Sequence, residues 1–175
     1  MHRFVALLLL VGLAGPAFAQ SAKYASKEGK FRIQFPAGKP ETSERTSDSP
    51  TGPLKFKMVT WSSADGNQAV IVSFVDYVLE TGQTFDQEKG LDGGVEGALK
   101  KTGTERIGFV GKIEFGKDKL PGRTFDMKRS NPTLYFKNLM IMKETRMYHV
   151  IVVGDEEFAL GKPGREMVNS FELVK

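Results

Sequence analysis

Short runs of apolar residues, most of them alternating and closed by Gly, Pro, Asp or Asn, dominate this sequence and restrict it to a sheet-rich fold. From Gly29 to Pro36, Phe31, Ile33 and Phe35 alternate with Lys30, Arg32 and Gln34, which predicts a strand with one wet face. Leu54 to Ser62 and Gln68 to Leu79 flank an Asp65-Gly66-Asn67 turn and read as a hairpin. In its second strand Val70, Val72 and Phe74 point one way, and Ile71, Val75 and Tyr77 the other, so that strand needs cover on both faces. Further runs are Arg106 to Phe115, Arg123 to Lys128, Thr133 to Thr145 beyond Asn131-Pro132, and Met147 to Val153. The last is apolar on both faces and is expected at the centre of the sheet.

Two segments break the two-residue period. A helix is expected to begin at Thr84, with Thr84 and Gln87 at capping-box spacing and Asp86 and Glu88 in the first turn. Leu91, Val95, Ala98 and Leu99 form its apolar stripe and Gly103 its stop. Gly90, Gly93, Gly94 and Gly97 each weaken it by up to about 1 kcal/mol relative to Ala, so packing on the sheet must hold it. A closing helix runs from Pro163 through Asn169, followed by Phe171, Leu173 and Val174. Three strands, a helix, four strands and a helix, joined mostly by hairpins, make an α+β fold. The expected architecture is a twisted, mostly antiparallel β-sheet with helices packed on both faces.

Residues 1–19 read as a cleaved export signal, with a basic start at His2 and Arg3, an apolar run from Phe4 to Leu13, and Ala17-Phe18-Ala19 as the cleavage site. The run is about half the length of a membrane-spanning helix. Residues 20–175 then form one globular domain, periplasmic or secreted. With no cysteine, it has no disulfide, thiolate metal site or cysteine nucleophile. The segment from Pro40 to Pro53 has three prolines and no large apolar residue, and is expected to be a mobile loop.

Four signatures carry a family resemblance: Gly29-Lys-Phe-Arg-Ile-Gln-Phe-Pro36, Leu120-Pro-Gly-Arg123, Met147-Tyr-His-Val-Ile-Val-Val-Gly154 and Asn169-Ser-Phe-Glu-Leu173. In this order and spacing they resemble exported bacterial domains of the PsbP-like superfamily. That resemblance implies an α/β/α sandwich and leaves function open. The photosynthetic role of the proteins that name the fold is not implied by any residue here.

The candidate chemistries are few. Gly111-Lys-Ile-Glu-Phe-Gly116-Lys117 has phosphate-loop spacing, but Asp118 stands where Ser or Thr is needed and Leu120-Pro121-Gly122 follows instead of a helix. It reads as a strand-to-strand turn. His149, alone after the signal, reads as a packed or hydrogen-bonded core residue. Asp155, Glu156 and Glu157 precede the last helix, where negative charge suits its N-terminus better than calcium. Basic residues from Lys112 to Arg129 are interrupted by Glu114, Asp118 and Asp126, so no nucleic-acid stripe forms at a net charge of +4.

These features favour a non-catalytic interaction domain that docks on an envelope protein or complex. It is expected to be monomeric, with no cofactor, no metal and no membrane anchor. Trp61, Lys119 and Arg123 are the candidate partner-binding residues. The alternatives are a periplasmic carrier of a small apolar ligand, suggested by the glycine-rich helix, and, further back, a carboxylate-based hydrolase.

Overall fold

The computed structural model describes residues 22–48 and 52–174; the expected export signal lies outside them. Five strands open the chain: β1 (Ala22–Ser26), β2 (Phe31–Phe35), β3 (Glu41–Ser47), β4 (Leu54–Ser62) and β5 (Ala69–Asp76). Helix α1 (Gln87–Thr102) leads to β6 (Glu105–Phe115), β7 (Leu120–Ser130), β8 (Thr133–Lys143) and β9 (Arg146–Gly154). Two short helices, α2 (Glu156–Leu160) and α3 (Lys162–Asn169), and strand β10 (Glu172–Leu173) close it.

A seven-stranded sheet in the order β3-β4-β5-β9-β8-β7-β6 forms the frame, every neighbouring pair antiparallel. The two-sided run expected at the centre is β9, the fourth of seven strands. A smaller antiparallel sheet, β1-β2-β10, buries Phe31, Ile33 and Phe35 against the large one.

The two faces of the large sheet carry separate cores. On one, Val70, Val72, Phe74, Leu139, Ile141, Tyr148, Val150 and Val152 meet the small sheet together with Met167 and Val168 of α3. Phe171 gathers the rings of Phe31, Phe115 and Tyr148 at centroid distances of 5.5 to 5.9 Å. On the other, Leu91 and Val95 of α1 meet Phe125, Met127, Met140, Met142 and Met147. The fold is α+β, and the cover on the first of these faces is as much strand as helix.

Several expectations are corrected. Glu41–Ser47, inside the supposed mobile loop, is an edge strand paired along its length with β4. An edge strand needs only its backbone ladder and one compatible face, and Glu44 adds ion pairs to Lys55 and Lys57 across that ladder. Ahead of Gly29, where alternation marks no element, β1 pairs with β2 and is anchored by Tyr24 against Phe35. Asp86, and not Thr84, caps α1 by accepting from the Lys89 amide at 3.1 Å. Gly103 does end α1, in the left-handed conformation at φ 59°.

Helices α2 and α3 pack so closely that a Cβ on Gly164 would stand 1.9 Å from the Ala159 carbonyl oxygen. Gly164→Ala is therefore expected to cost about 3 kcal/mol and to lower the unfolding temperature by about 10 °C, read by circular dichroism. An unchanged melting temperature would contradict this packing.

Candidate functional site

The placement of α1 decides which part of the sheet stays open. Arg123, on β7, is 1% exposed and reaches the helix from below. Its Nε donates to Asp92 Oδ1 at 2.9 Å, its Nη2 to Glu88 Oε2 at 2.6 Å, and its Nη1 to the Gly122 carbonyl at 3.1 Å. Lys112 adds a second contact to Glu88 at 3.2 Å. The hydrogen bonds from Arg123 and then Lys112 hold the Glu88 carboxyl below its usual range.

Pinned in this way, α1 lies over β7 and β8. The cluster under α1 includes Val75 of β5 and Met147 of β9, and beyond these the same face of β4, β5 and β9 is less covered. Phe56, Met58, Ile71, Ile151 and Val153 are half-buried there, whereas Val70, Val72, Val150 and Val152 on the opposite face are fully covered. The open strip is bounded at one end by the stacked rings of Tyr77 and Phe85, 4.8 Å apart.

One polar row crosses this strip. Cross-strand pairing aligns Met58, Ser73, His149, Met140 and Arg123 from β4 to β7. Asn138 Nδ2 donates to the Phe125 and Phe136 carbonyls at 3.1 and 3.4 Å, so its Oδ1 is left as an acceptor. That oxygen lies 3.0 Å from His149 Nε2, which must then carry the proton, leaving the Nδ1 lone pair free. Burial pushes the imidazole pKa down to about 3. At neutral pH the ring is uncharged and a weak base.

Trp61, Lys119 and Arg123 are not brought together. Trp61 is 8% exposed on the small-sheet face, where it stacks on Phe158 and donates from Nε1 to the Ala37 carbonyl at 2.8 Å. Arg123 lies under α1 on the opposite face. Lys119 stands exposed in the turn between β6 and β7 at φ 51°, paired with Glu114 at 3.3 Å. Gly111 to Phe115 belongs to β6 and Gly116 starts that turn, so no helix follows the phosphate-loop look-alike. Asp155 is the N-cap of α2, accepting from the Phe158 amide at 2.8 Å. No group of three potential metal ligands converges among the described residues.

A second candidate surface was not foreseen. On the edge strand β6 the pairing with β7 shifts between Ile107 and Gly111, Gly108 takes φ 68°, and Phe109 projects 93% exposed. The Gly108-Phe109-Val110-Gly111 sequence is the available signal, since glycines inside a strand pattern mark bulges that re-aim a side chain.

Cyanobacterial PsbP (CyanoP) from Synechocystis superposes on this architecture with a TM-score of 0.56 at 9% identity, over 94% of this chain and 98% of that one. The fold is PsbP-like. A Pseudomonas aeruginosa protein of unknown function aligns at a TM-score of 0.39 and 9% identity, over 89% of this chain and 96% of that one, too loosely to carry an argument. No family model matches the chain, and no curated protein does. The PsbP-like likeness therefore describes the scaffold, while the site must be read from its own residues.

A neutral His149 in the folded state makes stability depend on pH. The unfolded chain gains a proton below the ordinary histidine pKa of 6.5, and the folded ring does not until about 3. The contribution is complete above pH 6.5 and is lost as pH falls toward 3. His149→Gln is expected to flatten the stability profile between these limits by up to about 1.4 kcal/mol per pH unit, measured by denaturant unfolding. Equal slopes in both proteins would contradict a desolvated imidazole.

Proposed function

We propose that this chain is an exported, non-catalytic docking domain, set on an envelope protein or complex by the β6 edge of its sheet. The observation that carries the reading is Phe109, a large apolar side chain held 93% exposed by a bulge on the edge strand β6. Exposed hydrophobic groups aimed outward by rigid scaffolds are typical anchors for a partner's apolar socket. Ile107 adds apolar surface beside it, and Lys112 and Lys119 supply cationic groups near the same edge.

The chemistry of the remaining groups supports a binding role over a catalytic one. His149 is too weak a base to activate a nucleophile at neutral pH, and the Glu88 and Asp92 carboxylates are occupied by Arg123. Arg123 serves the surface indirectly, by fixing α1 beside β7, and Trp61 serves the opposite core. The export signal read at residues 1–19 and the absence of cysteine support action outside the cytoplasm. In this reading α1 on one face and α3 on the other are the outer layers of an α/β/α sandwich. A second reading, carriage of a small apolar ligand, draws on the open strip beside α1.

Photo-crosslinking in the native envelope fraction tests the docking edge. Phe109→p-benzoylphenylalanine is expected to give a discrete adduct with one partner. The same group at Val78, equally exposed but on another part of the molecule, is expected to give none. Adducts that are absent from position 109, or identical from both positions, would overturn the assignment.

A further inference from the structure

The two edges of the seven-stranded sheet are protected very differently. β6 is broken by its register shift and by Gly108 at φ 68°, devices that discourage another strand from pairing there. At the other edge, β3 runs in unbroken register with β4, from Glu41 opposite Thr60 to Ser47 opposite Leu54. It contains no bulge, no proline and no lysine, and Glu41 to Thr46 are all exposed. From Glu41 to Arg45 its outer side has no strand partner among the described residues. A flat edge of this kind is a template for one more strand.

The charges on β3 indicate which strand. Glu44 is held within the chain by Lys55 and Lys57. Glu41 and Arg45 have no ionic partner among the described residues. Both lie on one face of the strand, opposite Thr60 and Phe56, but four residues of extended chain separate them by about 13 Å, too far to meet each other. An antiparallel copy of the same strand brings them together. A two-fold axis perpendicular to the sheet keeps each face on its own side, so it passes between two copies of one residue. With the axis at Ser43, Glu41 of each copy stands opposite Arg45 of the other and Thr42 opposite Glu44. With the axis at Glu44 two carboxylates would face each other, and with the axis at Arg45 two guanidiniums. Opposite charges stabilise a cross-strand pair and like charges destabilise it, so charge selects the Ser43 register.

We propose that β3 is the interface of a two-fold dimer, in which the β3 strands of two copies pair antiparallel about Ser43 and carry the sheet from one subunit into the other, with reciprocal Glu41–Arg45 ion pairs. The occupant is a second copy of this chain because the edge is self-complementary in both backbone and charge. A ladder of this length buries far less than a standard interface, so association is weak and reversible. The monomer expected from the sequence is the dilute end of that equilibrium. β6 lies at the far edge of each subunit, so the dimer leaves Phe109 free.

Sedimentation velocity tests this through charge reversal at exposed positions, where the fold is not at stake. The purified parent protein is expected to pass from monomer to dimer with a dissociation constant on the order of 100 μM. Glu41→Arg and Arg45→Glu are each expected to weaken self-association by about tenfold or more, with unchanged melting temperatures. Mixing the two variants is expected to restore a dimer, because both contacts between them again set an arginine against a glutamate. Phe109→Ser is expected to change nothing. A parent protein that stays monomeric up to about 1 mM would overturn the proposal. So would a dimer that survives both reversals, one that is lost with Phe109→Ser, or single variants that fail to associate when mixed.

Discussion

Arg123 is the side chain on which the arrangement of this molecule turns. A guanidinium buried on the sheet face, one strand in from the β6 edge, must find carboxylates, and the ones it finds are Glu88 and Asp92 in the first two turns of α1. Its apolar contacts run through Leu91 and Val95, with Ala98 and Leu99 partly buried beside them. Burial of Leu91 and Val95 contributes roughly 2 kcal/mol each, and four glycines cost up to about 1 kcal/mol each against Ala, so the two effects nearly cancel. A directional, bidentate anchor therefore decides both whether α1 forms and where it lies.

That position sets the difference between the two faces. The small sheet, α3 and Phe171 cover one face of β5 and β9 completely. The other receives a single helix drawn to the β7 side, which leaves Ile71, Ile151 and Met58 partly in water. β6 is the edge strand beyond the helix, where a two-residue shift of register blunts further strand pairing and turns Phe109 outward. One buried charge thus ties down the helix that lies between the less covered part of this face and the β6 edge.

Much of the scaffold was legible in the sequence because its strands alternate strongly. Phe31, Ile33 and Phe35, the two-sided β5 and the central β9 follow directly from side-chain periodicity, and Pro163 and Gly103 mark helix ends. What escaped were elements held by backbone pairing rather than apolar pattern. Glu41–Ser47 has no large apolar residue and exists because β4 offers it a ladder. The site was less legible still. Lys119 and Arg123 are four residues apart in sequence, but one is a surface turn and the other a core ion pair. Ser73 lies within a run that reads simply as buried strand, and its cross-strand neighbour His149 is 76 positions away. Only Phe109 left a local trace, in the glycines around it.

The account stands or falls on whether Arg123 holds α1 to the sheet. Hydrogen exchange of Arg123→Met against the parent protein measures this directly, because each amide reports the opening of its own segment. The account predicts exchange about tenfold faster or more across Leu91 to Leu99, with protection retained from Tyr148 to Val152 in β9. Unchanged protection in α1, or an equal loss across helix and sheet, would show that the helix is placed by something other than the buried guanidinium.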